Sequence, residues 1–233
     1  MYLSSFAPNK IVVEAENWAY TEGAARTILP ISVDEAAAHV RIDNATAAAQ
    51  ITYVTTLIQS AVKIFEDYTN TSIINQNWIT YRNNFTDVGQ FELRRIKFVS
   101  LTSFQYLVNG VYTTVDPNIY YVVSSNPEYA QIKLKPDQQW SSDIDYVEQA
   151  IKIQFVAGLA ATADVVPADI KTCLYHIVAW LYANRGDNDI AGMASKGTGS
   201  EGAGLNALPN HALDVIMKYR PQDIFGGFFI NIV

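Results

Sequence analysis

The sequence predicts an α+β fold: a small helical bundle with an inserted antiparallel β subdomain, plus an extended N-terminal arm and a C-terminal tail. Three observations carry this. Apolar residues recur at helical spacing over 33–68 and again over 170–181. Between about 78 and 156 the period falls to two, the spacing of strands. Asn109-Gly110 separates two β-prone runs, the mark of a two-residue type I′ hairpin in which both turn residues need positive φ.

Residues 1–30 form a weakly patterned arm in which Ile11, Val13 and Ala15 fall on alternate positions, as in a short strand or extended segment. Ser32 and Glu35 have capping-box spacing at a helix start. Val33, Ala36, Ala37 and Val40 then make one apolar face. Asp43 and Asn44 are turn and N-cap types, so a second helix can begin there. Its stripe is Ile51, Val54, Ile58, Ala61, Phe65 and Tyr68, a rod roughly 27 Å long at ~1.5 Å per residue. Asn70 stands just past the stripe and can end the helix in the left-handed region.

Strand-forming residues follow. Trp78 to Phe85 and Phe91 to Phe98 are β-prone runs, and Ser103 to Val115 is the hairpin. Asp116-Pro117 and Asn126-Pro127 mark turns on either side of a strand from Asn118 to Val123. Tyr129 to Lys135 carries Ile132 and Leu134 on one face. Ile151, Ile153 and Phe155 alternate with Lys152 and Gln154 within Ala150 to Val156. An antiparallel meander with one wet face is expected.

Helix returns at Pro167, a favoured first position, with Asp169 in the first turn where the helix dipole favours a carboxylate. Ile170, Cys173, Leu174, Ile177, Trp180 and Leu181 form its apolar face, and Arg185-Gly186 ends it. The stretch 186–209 holds six of the twelve glycines and reads as a flexible loop. A short helix from Asn210 to Tyr219 carries Leu213, Ile216 and Met217, and Pro221 stops it. The chain thus divides into an arm (1–30), a helical bundle (31–75 and 159–220), an inserted β subdomain (76–158) and a tail (221–233).

Bulk properties narrow the function classes. The 233 residues carry a net charge of −7, the opposite of the basic surplus that grips DNA phosphates. The single cysteine, Cys173, excludes an internal disulfide and falls on an apolar helix face, which predicts a buried, inert thiol. The N-terminus lacks the basic and apolar regions of a signal peptide, and no apolar run reaches the ~20 residues of a membrane span. We therefore expect synthesis in a reducing cytoplasm and no membrane partner, which leaves the sequons at Asn44, Asn70 and Asn84 without a glycosylation route.

No motif defines a catalytic, cofactor or metal site. Gly197-Thr-Gly199-Ser-Glu-Gly202 is a literal G-x-G-x-x-G, but it follows a helix in low-complexity sequence rather than opening a βαβ unit. No two of His39, His176 and His211 have ligand spacing. Glu66-Asp67 and Asp143/Asp145 read as solvated surface charge, Asp187-Asn188-Asp189 lacks calcium-loop spacing, and Arg94, Arg95 and Lys97 read as a wet strand face. No enzyme and no cofactor are expected.

The terminal segment is unusual. Phe225, Phe228, Phe229, Ile230, Ile232 and Val233 crowd the last nine positions. Chain ends are usually polar and frayed. An apolar end is buried either against its own core or on a partner, and after Pro221 the chain can span roughly 40 Å at ~3.3 Å per residue.

In order and spacing, several segments together resemble the head–tail connector (adaptor, or head-completion) proteins of tailed bacteriophages. They are Ser32 to Asp43, the long helix ending Phe65-Glu-Asp-Tyr-Thr69, Gln76-Asn-Trp78, Val99 to Tyr106 before Asn109-Gly110, and Asp116-Pro117-Asn118-Ile-Tyr120. Phe155-Val-Ala-Gly158, Val166 to Lys171, Ala179 to Arg185 and the short helix before Tyr219-Arg220 complete the set, spanning about residues 30–220.

The resemblance implies a structural virion protein in the neck between capsid and tail, forming a ring commonly of about twelve subunits beneath the portal protein. Such a ring extends the DNA channel and presents its far side to the stopper or tail protein. Genomic DNA passes through the lumen without specific binding, as the negative charge suits. Assembly in the host cytoplasm is expected. The longer arm, the glycine-rich loop and the apolar tail depart from the family pattern.

Residues for the docking role follow from that frame. The polar side of the long helix, Thr52, Thr55, Thr56, Gln59 and Lys63, is the candidate ring contact. Phe225, Phe228, Phe229, Ile230, Ile232 and Val233 are the candidate contact with the portal or a neighbouring subunit. The rival readings are an enzyme or small-ligand-binding α+β domain with an unrecognised site, and a nucleic-acid-binding module.

Overall fold

The computed structural model describes residues 20–24, 26–42, 48–85, 89–95, 97–125, 129–184 and 208–220. Four helices in this set are α1 (Val33–His39), α2 (Ala48–Thr69), α3 (Ala168–Ala183) and α4 (Asn210–Tyr219). The capping box at α1 is formed. The Glu35 amide donates to Ser32 Oγ at 3.1 Å, and the Ser32 amide donates to Glu35 Oε2 at 2.7 Å. Asn70 ends α2 at φ 51°, as its left-handed tolerance allows. The Asp43 and Asn44 cap, the Arg185-Gly186 stop and the glycine-rich stretch up to 207 lie outside the described residues.

The helices close on one apolar core. Ile58, Ala61 and Phe65 of α2 meet Ile170, Cys173, Leu174 and Ile177 of α3 and Ala212 and Ile216 of α4. Each of these side chains is at most 1% exposed. Phe65 and Tyr219 lie 5.9 Å apart between ring centres, which ties the end of α4 to α2. Burial pushes the Cys173 thiol up to about 12, with the Asp169 charge adding to it, so it stays protonated and inert. Asp169 itself anchors α4, accepting from Lys218 Nζ at 2.6 Å and from the Tyr219 hydroxyl at 3.1 Å.

The β region departs from a simple meander. Eight strands are β1 (Tyr20–Glu22), β2 (Gln76–Arg82), β3 (Gln90–Leu93), β4 (Phe98–Val108), β5 (Val111–Thr114), β6 (Tyr120–Val123), β7 (Ala130–Leu134) and β8 (Ile151–Ala157). They form two antiparallel sheets, ordered β1-β2-β8-β4-β5 and β3-β7-β6. The last strand in sequence, β8, lies in the middle of the larger sheet, and its alternation is real: Ile151, Ile153, Phe155 and Ala157 are fully buried. The sheets face each other across Phe91, Ile132 and Phe104, with Phe85 stacked on Trp140 at 5.2 Å. Period-two patterning marks each strand's inner face but carries no information on which strands pair.

Two further features lie at the edges. Asn109 (φ 50°) and Gly110 (φ 76°) form the expected hairpin turn. Both of their amides donate to the Asp145 carboxylate, at 3.0 and 2.8 Å, so Asp145 holds a turn rather than standing as solvated charge. At the other edge, Tyr20–Glu22 pairs with β2, so part of the stretch read as an arm (1–30) is a strand of the sheet.

The chain enters and leaves the β region side by side. Ile74 and Ala160 form an isolated parallel bridge, and the Asn75 amide donates to the Ala160 carbonyl at 2.8 Å. Gly158 makes this possible: a Cβ there would sit 2.5 Å from Asn75 Cα.

Candidate functional site

The candidate ring contact is built on α2. An α-helix turns about 100° per residue, so Thr52, Thr55, Thr56, Gln59 and Lys63 fall on the side away from Phe65 and Ile58. Thr52, Thr56, Gln59 and Lys63 are exposed and Thr55 is half-buried. This side is less polar than its residue types suggest. The hydroxyls of Thr52, Thr55 and Thr56 donate to the carbonyls of Ala48, Ile51 and Thr52, at 2.9, 2.7 and 3.0 Å. Their donor capacity is spent within the helix, leaving each hydroxyl oxygen only as an acceptor. Lys63 is paired with Asp67 at 2.6 Å along the same helix.

Thr55, Gln59 and Lys63 line one wall of a groove of about 790 Å³. The chain from Arg26 to Pro30 and the stretch from Ile74 to Asn77 also line it. Thr52 and Thr56 lie beyond the groove on the same flank. The tail candidates Phe225, Phe228, Phe229, Ile230, Ile232 and Val233 lie outside the described residues.

The charged groups of the groove are directed at one another. Arg26 Nη1 meets Glu66 Oε2 at 2.5 Å and Arg26 Nη2 meets Glu22 Oε1 at 2.7 Å. The other Glu66 oxygen accepts from the Ile73 amide at 2.7 Å. Burial raises the Glu66 carboxyl above its ordinary value, against the downward pull of Arg26 and the Ile73 amide. Glu66 is therefore structural and 5% exposed, not the solvated charge expected of Glu66-Asp67. The signal was present in the sequence: Glu66 follows Val62 at helical spacing on the flank of the apolar stripe.

Two other clusters differ from expectation. The Arg95 guanidinium lies 3.9 Å from the Trp78 ring centre and 5.4 Å from that of Tyr20, so it packs on aromatic faces rather than in open solvent. Arg94 pairs with Glu92 at 3.0 Å. The three histidines, distant in sequence, converge: His39 to His176 is 5.8 Å and His176 to His211 is 5.1 Å between ring centres. Burial, then the neighbouring imidazoles of His211 and His39, lower the His176 value. Among the described residues no group of three His, Cys, Asp or Glu side chains is placed to hold a metal ion. Among the same residues, no helix is long and apolar enough to cross a membrane.

Solved structures share this fold over nearly the whole chain. A chain from the neck of an empty gene transfer agent (GTA) particle, computed with C6 symmetry, superposes with a TM-score of 0.64 at 18% identity, covering 90% of this chain and 98% of that one. A chain from the virion of a native GTA particle gives 0.62 at 18% identity, covering 89% and 98%. A chain from the neck of a native GTA particle, computed with C12 symmetry, gives 0.59 at 17% identity, covering 90% and 98%. No family model and no curated protein matches the chain. The expected α+β class is borne out, and the connector resemblance finds its counterpart in a fold present in the necks of GTA particles.

Proposed function

We propose that the protein is a structural component of the neck of a tailed phage or phage-like particle. In this reading, copies form a closed ring that joins the portal to the stopper or tail and extends the DNA channel. The observation that carries it is the agreement of fold over 90% of this chain and 98% of a chain from a neck with cyclic symmetry. A ring of about twelve copies accords with the C12 symmetry of one such neck.

The α2 flank supplies the contact between copies, and the C-terminal segment supplies a contact with the portal or a neighbouring copy. The bundle, β subdomain and tail act as the units described from sequence, with Tyr20–Glu22 of the arm joined to the β subdomain. The protein has no catalytic role, and its net charge of −7 lets DNA slide past the lumen without sticking. Repetition around the ring multiplies weak single contacts into a firm attachment. The test is a portal pull-down combined with imaging of the bound material. Ring-shaped density on the portal supports the reading, and a chain that neither binds the portal nor forms rings refutes it.

A further inference from the structure

The two ends of β4 carry opposite surfaces. Past its C-terminal end stands the Asn109-Gly110 turn, clamped by the Asp145 carboxylate through both turn amides. Around that turn apolar side chains stand in solvent: Tyr146 is 84% exposed and Val111 65%, with Tyr112 and Val147 also exposed. The Tyr112 hydroxyl donates to the Gln149 carbonyl at 2.7 Å, which ties the strand to the segment that carries Tyr146. Asp143 and Glu148 are exposed in the same segment. Against them Lys152 sets one positive charge, 5.7 Å from the Tyr112 ring centre. A clamped apolar patch with an acidic rim has the anatomy of an interaction surface.

The N-terminal end of β4 carries the complement. Arg95 and Lys97 lead into the strand, and Val99 at its start is 50% exposed. The half-buried Arg95 guanidinium lies on the Trp78 and Tyr20 rings, and its Nε, shut off from solvent, has no hydrogen-bond partner. Burial lowers the Arg95 value, and Tyr20, Glu66 and Asp67 offset this only in part. Arg26, by contrast, is paired with two carboxylates. A guanidinium held on aromatic faces with an unmet donor suits a carboxylate from outside the chain. The loop that presents it is strapped at both ends. Asn70 Nδ2 donates to the Arg94 carbonyl at 3.1 Å, and the Gly158 amide donates to the Lys97 carbonyl at 3.0 Å.

These surfaces cannot meet within one copy. β4 is paired along its length with β8 and then β5. Its 11 residues hold the two ends roughly 30 Å apart at ~3.3 Å per residue. Between copies they match, acidic rim to basic end and apolar patch to Val99. Contact through unlike surfaces is heterologous, the kind that closes into a ring. DNA is a poorer occupant of the basic end. Arg94 is already paired with Glu92, and phosphate binding grows with the number of cations engaged.

We propose that the Tyr146 tip of one copy docks on the Arg95–Val99 end of β4 in the adjacent copy, with Asp143 and Glu148 against Arg95 and Lys97. This contact adds to that of the α2 flank and rests on the ring reading. It is tested on the full-length chain by disulfide cross-linking. Differently tagged V99C and Y146C chains are mixed and oxidised, with the buried Cys173 out of reach. The mixture is repeated with charges reversed at the tip (D143K/E148K), at the basic end (R95E/K97E) and at both. Native mass is recorded on every sample, with and without portal.

The expected product is a linked pair of unlike tags. Each reversal should lower the linked fraction at least tenfold, and reversal at both ends should restore it to within threefold. Where R95E unfolds the chain by removing the contact with Trp78, K97E and E148K, both at exposed positions, supply the same loss and rescue. A link that no reversal changes overturns the charge pairing, and links between like tags alone overturn the head-to-tail contact. Loss of the link on adding portal or a DNA duplex gives the surface to that partner and overturns the proposal. Rings that form without a link between unlike tags overturn the docking while sparing the ring reading. Absence of both rings and links overturns both.

Discussion

Arg26 and Glu66 join the chain before α1 to the flank of α2, guanidinium to carboxylate at 2.5 Å, across 40 residues of sequence. Both side chains line the groove. Its carboxylate is nearly fully buried and also caps the free amide of Ile73, at the point where α2 hands the chain to β2.

Removing either partner should be costly in a way that pH separates. E66L leaves the Ile73 amide and part of Arg26 unpaired, and should cost about 3 kcal/mol. E66Q keeps an acceptor and should cost about 1 kcal/mol. For R26A the sign follows from the raised Glu66 value. A raised carboxyl favours the folded state below its unfolded value, and that advantage is lost as pH rises. Without Arg26 the loss deepens, so R26A should be about 2 kcal/mol less stable at pH 7 and close to wild type near pH 4. Urea unfolding at the two pH values measures this, and an equal deficit at both contradicts it.

The histidine contact predicts the opposite slope. A lowered His176 value means that its neutral form is favoured in the fold. That contribution is present above the unfolded histidine value of about 6.5 and is lost as pH falls through the folded one. The melting temperature should therefore fall more steeply between pH 7 and 5 in the wild type than in H176Q. Parallel curves would remove the imidazole cluster from the account.

Gly158 should not tolerate a side chain. A Cβ would meet the Asn75 backbone at 2.5 Å, a clash with main chain rather than with the end of a flexible side chain. G158A should cost at least about 2 kcal/mol, whereas D145A, losing two hydrogen bonds at a half-exposed turn, should cost about 1 kcal/mol. Thermal melts of the two variants decide, and a harmless G158A would contradict the close approach.

The α2 flank and the tail separate assembly from folding. T52R/T56R places two charges outside the groove on an exposed face and should change stability by no more than about 0.5 kcal/mol while abolishing rings in native mass. Truncation after Pro221 should remove stable attachment to the portal in a pull-down and leave the monomer's melting temperature unchanged. Undiminished attachment would take the tail out of the assignment.

Much of this was legible where the determinant is local. Ser32 with Glu35, Asn70 and Asn109-Gly110 each specify a backbone state within four residues, and each forms as read. The polar flank of α2 was legible as a face, but not its back-bonded threonines, because hydroxyl rotamers are chosen by the helix carbonyls. Glu66 shows its burial only through its place on the flank of the apolar stripe, while its partner Arg26 lies 40 residues away and the histidine contact depends on three helices meeting, so neither pairing has a local signature. The split into two sheets, with β8 central, was hidden for the same reason: alternation marks a strand's inner face and leaves its neighbours open. Tyr20–Glu22, within the stretch read as an arm, forms β1 by pairing with the β2 edge, a partner more than 50 residues away and so without a local signal.

Ring assembly is read out by native mass and negative-stain imaging of the purified chain, with and without portal. Closed rings of uniform copy number are expected, formed either alone or on the portal. A chain that stays monomeric in both samples, with no ring density on the portal, would contradict it.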